Sequence, residues 1–236
     1  IFVSQKRTKT PRICQNTYML SAKDQIEVWK KVTSTSQLLD AVSNMNSTDV
    51  REISALRKTW SAEEVRVAIE LVRARKSALG RLDHADSVVG DVEGVQQSSS
   101  SAVAKWKANR FKDCAQIVDL CCGIGGDLLH LSDKATGVDI DPLRCWMAKQ
   151  NTGKEVSCED VREFRGVANA TILLDPSRRD ATGKRLDLDN MQPNIAEVQT
   201  ISANAVGGCV KLSPAIECED VAGIGDCREV EFIEDR

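Results

Sequence analysis

The sequence predicts an α/β protein, a doubly wound and mostly parallel sheet preceded by a helical region. Three observations carry this. From residue 115 onward short apolar runs alternate with helical stretches, several of those runs end in an aspartate (Asp119, Asp139, Asp175), and the first third spaces its apolar residues as helices do. The length of 236 residues suits one dominant core with an appendage. Boundaries follow from the same patterns: 1–35 carries no assigned fold, 36–90 is a helical domain, and 91–236 is the sheet domain, whose last strand is expected to be missing.

In the helical part, Ser36 to Met45 and Thr48 to Trp60 each open on a hydroxyl residue and carry spaced leucines, isoleucines or valines. Ser61-Ala-Glu-Glu64 then has capping-box spacing, and Val65, Ala68, Ile69, Val72 and Leu79 share one face until Gly80 stops the helix. Arg66, Arg73 and Lys76 fall off that stripe or at its margin. Residues 1 to about 16 show no period. Asp83–Gly90 and Gln96-Gln-Ser-Ser-Ser-Ser101 read as a polar connector, after which Ala102 to Phe111 forms a short helix. The expected strands are Gln116–Leu120, Ala135–Ile140, Glu155–Cys158, Thr171–Asp175, Gly208–Leu212 and Glu229–Ile233. Helices fall between them at Leu128–Leu131, from Asp141/Pro142 to Gln150 and from Asn194 to Ala205, with Pro142 well placed in a first turn.

Composition bounds the function classes. No run of about 18 apolar residues and no charged-apolar-small leader is visible, so a soluble chain without a signal peptide or membrane partner is expected. The nine cysteines are odd in number and none form Cys-x-x-Cys pairs, which argues against zinc or a disulfide framework and for reduced thiols in the cytoplasm. No metal is expected. Charge is uneven: residues 1–110 hold 18 Lys/Arg against 12 Asp/Glu, and residues 111–236 hold 14 against 23. A basic appendage beside an acidic domain suits a polyanionic partner, an RNA substrate met through the helical region, although basic helix residues are also ordinary solvated faces.

The densest signal is Ile117-Val-Asp-Leu-Cys-Cys-Gly-Ile-Gly-Gly-Asp127. An apolar strand ends at Asp119, glycines allow a tight turn beside a ligand, and a helix opens after Asp127. A second strand ends at Asp139, twenty residues on, a spacing that suits a carboxylate on ribose hydroxyls. Gly123 and Gly125 are followed by Gly126, Asp127 and Leu128, so the third glycine of a dinucleotide fingerprint is absent. Asp119 can instead face a cationic ligand end such as an α-amino group. S-adenosylmethionine carries both that group and a ribose. The segment resembles motif I of the class I S-adenosylmethionine methyltransferases, acid-x-Gly-x-Gly-x-Gly, with Asp119, Gly123 and Gly125 matching and Cys121 in place of the first glycine. That resemblance implies a Rossmann-like fold and a cofactor site at Asp119, Cys121, Gly123, Gly125, Gly126, Asp139 and Ile140. Asp160 sits where the third strand ends and either accepts from the adenine amine or caps a helix. Gln97 and Ser98 are within reach of a ligand crossing the sheet, or belong to a linker.

Asp175-Pro-Ser-Arg-Arg179 follows the fourth strand, where such enzymes hold the acceptor, and a methyl displacement needs mainly a positioned nucleophile and a destination for its proton. It is similar to the Asn/Asp-Pro-Pro-aromatic motif of base amino-methyltransferases, which implies that Asp175 and the carbonyl at Pro176 accept from the target amine. Arg178 and Arg179 replace the aromatic. They stack on a base, bind phosphate, or pair with Asp180 or Asp187. Pyrimidine C5 chemistry needs a cysteine nucleophile, but Lys211-Leu-Ser-Pro214 puts Leu212 in that slot and Cys209 falls within the strand. A base nitrogen is therefore favoured over C5. Together with Gln96–Phe111 and Asp139-Ile-Asp-Pro142, these segments resemble, over about residues 36 to 236, a bacterial class I methyltransferase family with an Asp-Pro-Ala/Ser-Arg-Arg motif and a THUMP-like carboxyl-terminal domain; the trimethylguanosine synthases are more distant. A small-molecule methyltransferase and a non-catalytic cofactor- or RNA-binding module remain the alternatives.

Overall fold

The computed structural model describes residues 20–45, 50–177 and 191–212. Five parallel strands, β1 (Ile117–Leu120), β2 (Thr136–Asp139), β3 (Val156–Cys158), β4 (Thr171–Leu174) and β5 (Gly207–Val210), form one sheet in the order β3-β2-β1-β4-β5. The chain winds outward from β1 to β3, returns to place β4 on the other side of β1, and winds outward again. The crevice at the carboxyl ends of β1 and β4 is the topological switch point, where open α/β sheets bind ligands. All four residues of β1 are buried, as a strand covered on both faces requires.

Side chains of Val118, Leu120, Val138, Ile172 and Leu174 share a cluster with Val198 and Ile201 of helix α8 (Ile195–Ser202). On the opposite face Ile117 and Leu173 meet Phe111, Leu128, Cys145 and Ala148. That face is covered by α6 (Ser101–Arg110) and α7 (Pro142–Thr152). Helix α7 begins on Asp141, whose carboxylate accepts from the Leu143 and Arg144 amides, and ends on Gly153 at φ 68°.

Ahead of the sheet lie α1 (Ala22–Thr33), α2 (Ser36–Asn44), α3 (Val50–Leu56), α4 (Ala62–Ala78) and α5 (Val92–Gln97). The Ser61–Glu64 capping box forms as expected. One apolar cluster runs from Trp29 and Val32 through Leu38, Val42, Val65, Ala68 and Leu71 to Ile124 and Met147, so the helical layer rests on α7 and on the glycine loop itself.

Several expectations are corrected. Helix α1 lies in a segment left without a fold, and its burial rests on only Trp29 and Val32, too sparse a stripe to stand out. Helix α5 interrupts the expected polar connector, started by Asp91, which accepts from the Gly94 amide. The buried face of α4 is wider than predicted, taking in Val67, Leu71, Ala74 and Ala78, whereas Leu79 is 61% exposed because the helix has already ended. Helix α3 stops at Leu56 rather than Trp60. After the glycine loop only a single 3-10 turn, Leu128–His130, forms where a helix was expected. The strand expected at Glu229–Ile233 lies outside the described residues.

Candidate functional site

The loop between β1 and Leu128 turns through left-handed backbone at Cys121 (φ 62°), Gly123 (φ 55°) and Gly125 (φ 86°). Cys121 stands where glycine is usual and adopts the conformation glycine would take without strain. A Cβ on Gly123 would meet nothing within 4 Å, so the loop faces open space there, whereas one on Gly126 would overlap the Ser98 hydroxyl. Ser98 thus lies against the loop, while the Gln97 amide is turned to the surface and donates to Glu93 (2.9 Å).

Asp119 is 2% exposed, and its Oδ2 has no hydrogen-bond partner. Burial, then the neighbouring Asp127, push its acid well above the usual carboxylate range, with Lys107 acting against them and Asp175 and Asp139 adding smaller repulsions. An incoming cation would relieve that cost. Asp139 ends β2 and is nearly buried; its Oδ2 accepts from the Gly123 amide (2.8 Å) and its Oδ1 from the Asp141 amide (3.0 Å). Burial raises its acid, and the two amides partly offset this. Ile140 beside it is 64% exposed, an apolar side chain left bare at the edge of the crevice. Asp160 is engaged locally: its carboxylate accepts from the Arg162 amide (2.9 Å) and guanidinium, which hold it below the usual range.

At the end of β4 the Asp175 amide donates to the Leu120 carbonyl (3.2 Å), and Pro176 behind it is buried. The ammonium of Lys211, the residue following β5, donates to Asp175 Oδ2 at 2.6 Å, with the two side chains 28% and 23% exposed. Ser177 bridges to Gln192. Arg178 and Arg179 lie outside the described residues. Cys209 faces Leu173 across β4 and β5 and packs against the cluster beneath the loop, as its position within a strand predicts.

Sequence reading missed two groups. Lys211 is one. The other is a buried set under the loop, in which Lys107 Nζ donates to Ser99 Oγ (2.8 Å) and pairs with Asp127, and Ser99 Oγ donates to Asp127 Oδ2 (3.0 Å). A signal for it existed: Lys107 shares a helical face with Ala104, Ala108 and Phe111, and a lysine on an apolar face needs a buried counter-ion.

An open concavity of about 400 Å³ lies elsewhere, between the second half of α6 and His130–Ser132, and none of the loop or strand-end residues line it. Among the described residues no cluster of three metal-ligating side chains occurs, and no helix is long and apolar enough to cross a membrane.

No protein-family model matches the chain. It is 30% identical, over 179 residues and 70% of its length, to an uncharacterized S-adenosylmethionine-dependent methyltransferase of Mycobacterium tuberculosis, in strains CDC 1551 and H37Rv alike. The chain spans about half of that relative (49%). A candidate methyltransferase of known structure from Porphyromonas gingivalis W83 superposes with a TM-score of 0.58 at 18% identity, covering 86% of this chain and 52% of that one. The parallel five-stranded sheet, its flanking helices and this superposition together give the chain the Rossmann-like α/β fold of methyltransferases.

Proposed function

We propose that this chain is an S-adenosylmethionine-dependent methyltransferase acting on RNA, at a base nitrogen. The observation that carries the cofactor half is the arrangement at the switch point: Asp119, Asp139 and Asp175 at the ends of three adjacent strands around a left-handed glycine loop. The residues fit the cofactor. The orphaned Oδ2 of Asp119 wants a cation, the space over Gly123 is open, and bare Ile140 offers an apolar surface beside Asp139. The 30% identity to a curated methyltransferase of this cofactor supports the same reading.

When bound, S-adenosylmethionine supplies a methyl group on a sulfonium, transferred by in-line displacement. The protein's part is placement and proton handling. Asp119 attracts the cationic amino group, Asp139 accepts from ribose hydroxyls while holding the loop through Gly123, and Asp160, together with Ser98, borders the site. Asp175, with the carbonyl at Pro176, accepts the acceptor's N–H and takes its proton. Asp175 is 23% exposed beside Lys211, which leaves part of its carboxylate open to an acceptor.

RNA as the substrate is supported by the basic first half of the chain and by the exposed Arg66, Arg73 and Lys76 on α4. The helical layer reaches the cofactor loop through Ile124 and Ser98. Arg178 and Arg179 are included in the proposal as substrate-orienting groups. Cytoplasmic location belongs to it too, supported by six free cysteines among the described residues. The test is transfer of tritium from labelled cofactor into total RNA, protein and small-molecule pools. Label in RNA is expected; label confined to protein or metabolites refutes the RNA assignment.

A further inference from the structure

We propose that Lys211 is part of the acceptor site, and that with Asp175 it presents a hydrogen-bond donor beside an acceptor, matched to a neutral heterocyclic edge with an N–H next to a lone pair. This rests on the methyltransferase reading and names the acceptor class for the same site.

The pair is built by the sheet. Leu174 of β4 and Val210 of β5 are register partners, so Asp175 and Lys211 are the next residues out along both strands. Their backbones are held there, with Lys211 N donating to the Leu174 carbonyl (2.8 Å) and Asp175 N to the Leu120 carbonyl (3.2 Å). From that position Lys211 Nζ donates to Asp175 Oδ2 at 2.6 Å. The bond uses one of three ammonium donors and one of about four carboxylate lone pairs, so each group can serve a ligand as well. Both side chains are about a quarter exposed.

The charge balance decides what such a site selects. Asp119, Asp139 and Asp175 all lie at this end of the sheet, and a bare carboxylate at the acceptor position would favour an alkylammonium, such as a lysine side chain. Lys211 neutralises the one that faces the acceptor. A neutral group then gains more than a cation, provided that it answers both partners at once. The exocyclic amine and adjacent ring nitrogen of a nucleobase do so: the N–H donates to Asp175 and the ring nitrogen accepts from Lys211. In the reaction the nitrogen lone pair forms the new N–CH3 bond, the C–S pair stays on sulfur as the neutral thioether, and the nitrogen's proton passes to Asp175 and then to water.

The experiment compares two cofactor analogues by calorimetry on the intact chain: S-adenosylhomocysteine, and sinefungin, in which a carbon replaces the sulfonium sulfur and its amine stands where the methyl group would be. In Lys211→Met the ammonium of sinefungin meets an unneutralised Asp175. Its affinity should rise about tenfold while S-adenosylhomocysteine changes by less than about twofold. Lys211→Arg should restore the original ratio, and Asp175→Asn should move it the opposite way. An unchanged ratio in Lys211→Met overturns the proposal while leaving the cofactor site intact. Failure of the unaltered protein to bind either compound overturns both. For the acceptor class, tritium recovered from total extract should sit on nucleosides; label on lysine ε-amines, or on no nucleoside, contradicts it.

Discussion

Replacing Lys107 by methionine keeps most of the side chain's volume and removes only its charge, which isolates the electrostatic contribution of the group beneath the cofactor loop. Lys107 and Asp127 are 4% and 9% exposed, so neither charge can turn to water when the other is lost. Asp127 would keep only the Ser99 hydroxyl on Oδ2, with Oδ1 already unpartnered, and Asp119 would lose a cation that offsets its burial. Breaking a buried pair from one side costs about 3–5 kcal/mol. For a chain of this length about 2–4 °C accompanies each kcal/mol, so the melting temperature should fall by roughly 6–20 °C. Urea and thermal unfolding at pH 7 measure this directly. Lys107→Met with Asp127→Asn should recover at least half of the loss, because the remaining amide can still accept from Ser99. A single variant within about 1 kcal/mol of the original protein would show that Lys107 is not a buried counter-ion, and the reasoning would fall.

Other consequences follow from single residues. Asp119 has its acid raised above 3.8 in the folded state, so its contribution is present below 3.8 and is lost as pH rises through the raised value. Asp119→Asn should therefore be more stable than the original at pH 7, by about 1–2 kcal/mol in urea unfolding, yet bind the cofactor at least tenfold more weakly; lower stability at pH 7 would contradict this. Glu64, paired with Lys31 and capping Ser61, is held at about 2 instead of 4.5. Its contribution is complete above 4.5 and disappears as pH falls toward 2, so the stabilities of the original and Glu64→Gln should converge over that window in an acid titration followed by circular dichroism. Gly126→Ala should cost about 1–3 kcal/mol by pressing on Ser98, and Ser98→Gly in the same chain should relieve most of it, read by thermal unfolding.

The sheet was legible because a strand covered on both faces must be an apolar run, and each run near the switch point ended in an acid the fold then placed at the crevice. Asp119, Asp139 and Asp175 came out of local pattern alone. Helix α5 did not: its six residues carry only two valines and are stabilised by the Asp91 cap and by packing of Val92 and Val95, too short a run to show a stripe. The Leu128–His130 turn fell short of a helix because only five residues separate it from β2. Lys211 was invisible for a different reason. Its partner is 36 residues away, and only the pairing of β4 with β5 brings them together. Lys107 could have been found, since a lysine among alanines on the inner face of α6 asks where its charge goes.

The central claim is that the crevice at the ends of β1, β2 and β4 holds S-adenosylmethionine. Calorimetric titration of the intact chain with that compound, beside Asp139→Ala, tests it most directly. One saturable site is predicted for the original protein, with affinity at least tenfold weaker in the variant, because Asp139 both meets the ribose and holds Gly123. No binding by the folded, unaltered chain, or equal binding by Asp139→Ala, would contradict the account.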